Sequence, residues 1–241
     1  MVQSGRRSDG AAHSIPWSKY ETPHSLFAML THPTLDRALI EDVLNELGTL
    51  ARAEGQVIKL AIYGGSALAL ASNFRTATRD LDAVADDEGQ RVIERLAVVI
   101  AKRRGWNATW LNDDVFPYLS DNVAGVNEHH AFLRSYPSDD EPGVRVYVPT
   151  PEYLLALKLM AMRIGIDSDA KDRTDIVNLL AIVGLASPEE VVNFVVGFYP
   201  EAKVSAKVLK GIEELFRAPV IAGEDTRHEA PRYLGRGRAS H

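Results

Sequence analysis

Asp80 and Asp82 stand one residue apart in an apolar stretch, shortly after a Gly64-Gly65-Ser66 turn. Alternation along a strand places residues i and i+2 on one face, so this spacing predicts two carboxylates pointing the same way. Like charges side by side are unfavourable unless a cation lies between them. Mg²⁺ suits that place, because it takes oxygen ligands and is commonly held by one or two carboxylates together with substrate phosphates; Mn²⁺ accepts the same donors. A glycine turn from a strand into a helix exposes backbone N–H groups and the positive end of the helix, which together bind anions. Gly64 and Gly65 let the backbone approach a phosphate, and the Ser66 hydroxyl can add a hydrogen bond. Together the two pieces predict a site for a nucleoside triphosphate and its divalent ion. Each alone has a plainer reading: a structural turn for the glycines, an exposed strand face for the acids. Leu81, Ala83 and Val84 argue instead for a strand inside a sheet, where unpaired charge is costly.

These residues have to be held by a strand over 57–63, a short alanine-rich helix over 66–73 and a second strand over 78–85. Upstream, Thr34 is placed to cap a helix in which Leu35, Leu39, Val43, Leu44, Leu47 and Leu50 recur at helical spacing and which Gly55 stops. Downstream, 88–104 reads as an amphipathic helix and 108–111 as a strand. Two further strands, 130–136 and 144–148, are joined by a polar loop and suit an antiparallel pair. From Pro151 the strand signal ends, and helices follow over 151–163, 172–183, 188–198 and 203–216. This grammar is α+β: a mixed sheet with flanking helices, followed by a C-terminal helical subdomain. The expected organisation is an N-terminal arm over 1–22, a core over 23–150, the helical subdomain over 151–217 and a tail over 218–241.

The helical third adds a cation. Lys158 is the one polar side chain in the apolar run 153–162, either snorkelling to solvent or directed at phosphates. Asp172 and Asp175 lie four residues before Ile176 and Leu179 of the next buried stripe, so both extend toward it. Asp172 also suits an N-terminal capping role, and Asp175 can pair with Lys158 or orient it. The adjacent His129 and His130 face different ways, which favours structural or surface roles over a metal pair. Arg75, Arg79, Lys102, Arg103 and Arg104 read as scattered surface charges or as a local basic patch.

Composition narrows the classes. A formal charge of −6 argues against non-specific coating of nucleic acid, while leaving room for a nucleic-acid substrate held locally. With no cysteine there is no disulfide framework, thiolate metal site or thiol nucleophile. Neither a Walker A loop nor a Gly-x-Gly-x-x-Gly fingerprint occurs. No apolar run reaches about 18 residues, so no membrane span is expected. The first residues lack the apolar centre of a secretory signal, and a cytoplasmic location is expected.

In order along the chain stand Gly64-Gly65-Ser66, Thr78-Arg79-Asp80-Leu81-Asp82, Trp110-Leu111-Asn112-Asp113, Pro151 through Lys158, and Asp172-x-x-Asp175-Ile176. This series resembles the minimal nucleotidyltransferases, and among them the bacterial group related to AbiEii-type toxins. The resemblance covers residues 35–216 and implies a polymerase-β-like sheet with Mg²⁺ held by Asp80 and Asp82. It implies triphosphate contacts from Gly64, Gly65 and Ser66, with Thr78, Arg79 and Asp172 in the matched motifs on the substrate side. Lys158 and Asp175 would complete the catalytic set. Relatives often carry a third carboxylate on a later strand, but strands 130–136 and 144–148 contain no acid. Asp113 is the nearest candidate metal ligand, with Asp114 beside it and Asp175 as the alternative base. The implied activity moves an NMP from an NTP to a hydroxyl of RNA, such as a tRNA 3′ end, or of a protein. A cognate antitoxin would be the partner. The rival reading is a catalytically silent nucleotide-binding module on the same fold.

Overall fold

In the computed structural model, which describes residues 31–120, 126–162 and 170–217, the first elements are strand β1 (Leu35–Asp36) and helix α1 (Arg37–Ala53). The expected arm over 1–22 and tail over 218–241 lie outside the described residues. Asp36 caps α1, accepting from the Leu39 N–H at 2.8 Å, so the cap falls two residues after Thr34. Leu35 is fully buried and pairs with Thr78, which holds the chain extended until the stronger capping carboxylate is reached. Ile40, Val43, Leu44, Leu47 and Ala51 form the buried stripe of α1.

Strand β2 (Ile58–Ile62) runs into helix α2 (Gly64–Ala71), which starts and ends two residues before the expected 66–73, so that Gly64, Gly65 and Ser66 are its first turn and not a separate loop. The expected strand over 78–85 is broken. Strand β3 (Ala77–Thr78) pairs with β1 in a separate two-stranded sheet, the chain bends at Arg79 and Asp80, and β4 (Leu81–Val84) joins the main sheet. The bend has a local cause: the Asp80 carbonyl accepts a hydrogen bond from the Ser66 hydroxyl at 2.7 Å instead of joining a ladder. Helix α3 (Asp87–Arg104) follows, capped by Asp86 and stopped at Gly105, whose φ is +68°.

The expected strand over 108–111 is mostly a 3₁₀ turn, Ala108–Trp110, started by the Asn107 side chain accepting from the Thr109 N–H. Trp110 is fully buried and donates from its indole to the Ala97 carbonyl at 3.0 Å, which leaves only β5 (Leu111–Asn112) to pair. Strands β6 (His130–Pro137) and β7 (Pro142–Pro149) form the expected antiparallel hairpin. The main sheet has the order β5-β4-β2-β7-β6, with β2 parallel to β7 and antiparallel to β4. Gly48 of α1 lies directly on this hairpin; a Cβ there would run into the Tyr136 carbonyl.

Helices α4 (Pro151–Ala161), α5 (Ala170–Val183), α6 (Pro188–Val196) and α7 (Ala206–Arg217) make up the last third. The fold is mixed α+β, as expected. Leu155, Leu159, Ile176, Leu179, Val191, Val195 and Ile212 build an apolar cluster of their own, but Ala67, Leu68 and Ala71 of α2 belong to it too. Ala69 and Leu70 of α2 face the other core, under the sheet. Being buried on both sides is why α2 is small and apolar throughout. The helical third therefore shares its interior with the strand-bearing part through α2. Among the described residues no single helix is long and apolar enough to cross a membrane.

Candidate active site

The site begins where β2 ends. The Tyr63 N–H donates to the Asp82 carbonyl at 2.8 Å, which sets Asp82 of β4 beside the start of α2. Gly64 has φ +59°, and a Cβ on it would run into Asp82 Oδ2. Only glycine permits both the left-handed backbone and the close approach of the carboxylate. Gly64→Ala is expected to lower the unfolding free energy by about 2 kcal/mol, against about 1 kcal/mol for Gly105→Ala, which has the same handedness and open space around it. Denaturant titration of both variants checks this; equal losses would mean that Asp82 simply steps aside.

The N-terminus of α2 has no side-chain cap. Its first intrahelical bond is Ala67 N–H to the Tyr63 carbonyl at 3.0 Å, so the N–H groups of Gly64, Gly65 and Ser66 are not used by the helix. They form the positive end of the helix dipole. Ser66 is fully buried, and its one hydroxyl proton goes to the Asp80 carbonyl. The Ser66 side chain thus ties the Asp80 backbone to α2.

Asp80 sits in the bend, where Thr78 Oγ1 makes a long 3.4 Å contact to its Oδ1. Thr78 packs on Gly65, its Oγ1 lying 3.0 Å from where a Gly65 Cβ would be. Arg79 is exposed in the same bend and takes no part in these contacts. Asp82 is half-buried, and its carboxyl is pushed up to about 7. Burial is the main cause; the charges of Asp80, Asp114 and Asp172 add to it, and Lys158 opposes them. Of Asp113 and Asp114, the two acids after β5 and both exposed, Asp114 is the one whose charge raises Asp82. The Asn112 side chain accepts from the Asp114 N–H at 2.9 Å, turning the chain there. The register pairs Asn112 with Asp82.

Across from the carboxylates is a compact charge cluster. Lys158, with a side chain only 10% exposed, places Nζ 2.9 Å from Asp175 Oδ2 and 3.0 Å from Asp172 Oδ1. Arg75, from the loop between α2 and β3, pairs with the same two acids. Asp175 is 2% exposed, while the Asp172 side chain is 54% exposed. Arg75 escapes the sequence pattern, because its loop has no periodicity and nothing local marks it apart from other arginines.

His129 and His130 do not face one another. The His130 Nε2 is 2.8 Å from the Tyr63 hydroxyl and its Nδ1 2.6 Å from Asn127 Oδ1. Burial, aided by the neighbouring His129, holds its imidazole down to about 4. His129 packs on Tyr153 and Phe198. His130 thus supports Tyr63, the residue just before Gly64.

Among the described residues no three His, Cys, Asp or Glu side chains are arranged to hold a metal ion unaided. Asp80 and Asp82 offer an oxygen-only donor pair, which fits Mg²⁺ or Mn²⁺ when phosphate oxygens supply other positions. Comparison of this chain with protein-family models, curated proteins and solved structures gives no match.

Proposed function

We propose that this chain is a divalent-metal-dependent nucleotidyltransferase, with an NTP as donor. The observation that carries the reading is the uncapped N-terminus of α2, which begins at Gly64 directly beside the Asp82 carboxylate. An anion cradle beside paired acids has little structural purpose, whereas a triphosphate with its counter-ion satisfies both. The fit of Asp80 and Asp82 to Mg²⁺ supports the same reading.

The acceptor oxygen forms a bond to the α-phosphorus, its proton leaves, and the bond to the β-phosphate bridging oxygen breaks to release pyrophosphate. When bound, Mg²⁺ between Asp80, Asp82 and the phosphates would stabilise the attacking and leaving oxygens. The N–H groups of the cradle hold the phosphate chain in place. Lys158 offsets the charge that grows on the leaving pyrophosphate, and Asp175 aims it. Asp175 is buried between two cations, so it orients Lys158 and does not receive the acceptor proton. Of the carboxylates whose charge acts on Asp82, Asp114 lies outside the Lys158 cluster and is assigned that role.

The acceptor class, an RNA or protein hydroxyl, and a cognate antitoxin rest on the family resemblance alone. One observation favours the silent-module reading: the third acid comes from an exposed turn and not from a strand. Both readings are separated by incubating the protein with α-labelled NTPs, Mg²⁺ and total RNA or lysate. Label transfer is expected, falling by at least about a hundredfold in Asp80→Asn/Asp82→Asn. Metal-dependent NTP binding without transfer identifies the silent module. Equal labelling by the double variant sinks the site assignment.

A further inference from the structure

We propose that Arg75 and Lys158 form one phosphate-binding subsite whose place is held, before nucleotide arrives, by the Asp172 carboxylate. The inference rests on the nucleotidyltransferase reading for its ligand class, a polyphosphate chain, and assigns the residues that grip it. A single oxygen of Asp172 serves both cations, 3.0 Å from Lys158 Nζ and 3.3 Å from Arg75 Nη2. That is the position a phosphate oxygen takes between a lysine and an arginine.

The two acids of the cluster differ in one respect that matters. Asp175 is sealed in the interior and cannot leave without stranding two cations. Asp172 is more than half exposed, so it regains water on swinging out, and its ion pairs are of the weak, solvent-screened kind. It also remains in the first turn of α5, where the helix dipole favours a carboxylate. Asp175 is the fixed anchor and Asp172 the replaceable occupant.

Arg75 has capacity to spare. Its Nε is buried and has no hydrogen-bond partner among the described residues, an arrangement that costs free energy until an acceptor arrives. A phosphate can take Nε and Nη2 together as a fork, which one carboxylate oxygen does not. The subsite also adjoins the cradle: the guanidinium carbon lies 3.6 Å from where a Cβ of Gly65 would stand. Were Asp172 to stay while a triphosphate bound, it would add a further negative charge beside Asp80, Asp82 and the phosphates. Its charge already acts against ionisation of Asp82.

The test uses inorganic tripolyphosphate, which has the phosphate chain but no nucleoside, with the full chain as wild type, Asp172→Asn and Arg75→Lys. Calorimetric titration should show Asp172→Asn binding about three- to tenfold tighter than wild type, because no ion pair has to be broken. Arg75→Lys keeps the charge but lacks the fork, and should bind about tenfold weaker. Wild-type or weaker affinity in Asp172→Asn overturns the inference, as does undiminished affinity in Arg75→Lys. Should Arg75→Lys fail to fold, the direction of the Asp172→Asn change decides alone. Absent NTP transfer with these shifts intact refutes the transferase and leaves the subsite standing; transfer intact with no shift refutes the subsite alone.

Discussion

Asp175→Ala is expected to lower the unfolding free energy by about 3 kcal/mol, the range found when one partner of a buried ion pair is removed. Asp175 is 2% exposed and bonded to both Lys158 and Arg75, whose side chains are 10% and 13% exposed. Without it, two cations drawn into the interior keep only the solvent-facing Asp172. That residue cannot replace the lost partner, because its interactions are screened by water. Asp172→Ala should accordingly cost less than about 1 kcal/mol. Urea titration of the two variants separates them. A loss in Asp175→Ala no greater than in Asp172→Ala would mean that water reaches the cluster and that Asp175 anchors nothing.

Asp82→Asn is expected to stabilise the metal-free protein at alkaline pH, an unusual result for removing a polar side chain. The Asp82 carboxyl is raised from an unperturbed 3.8 to about 7, first by burial and then by Asp80 and Asp114. Between those two values the folded chain holds a proton that the unfolded chain has released. Stability contributed by this group therefore falls as pH rises through that window and stays low above it. A shift of this size corresponds to something on the order of 3 kcal/mol between pH 4 and pH 8. Asparagine resembles the protonated acid and removes the dependence, so the difference between variant and wild type should grow across that interval. Measured in denaturant without divalent ions, parallel profiles would sink the prediction. Added Mg²⁺ at pH 8 should restore stability to the wild type and leave Asp82→Asn unchanged.

The parts of the site that lie close together in the chain are legible in the sequence, and those that meet only by folding are legible in outline. The step from an apolar strand through glycines into a short helix needs nothing distant to define it; α2 falls within two residues of its expected place, and the hairpin of β6 and β7 falls where the pattern predicts. The pairing of Lys158 with Asp175 is readable because a lone lysine in an apolar helix needs a partner. The bend at Asp80 is not readable, since alternation of residue types predicts an unbroken strand while the Ser66 hydroxyl and the pairing of Leu35 with Thr78 decide otherwise. Asp113 and Asp114 are adjacent in sequence, and nothing local marks Asp114 as the one whose charge acts on Asp82. Arg75 is hidden for the simplest reason. Its partners lie about a hundred residues away, and only packing of the α2–β3 loop on α5 brings them to it.

The hydrogen bond from Ser66 to the Asp80 carbonyl makes the phosphate cradle and the first acid one mechanical piece. On the proposed reading, a nucleotide acts on one end of that piece and a divalent cation on the other. Any preference for one of its positions is then felt by both ligands. Thermodynamic linkage requires the effect to be mutual, so whatever factor the cation contributes to nucleotide affinity, the nucleotide returns to the cation. Neither would need to bind tightly alone. A protein built this way fills its site more readily with the two together than with either alone.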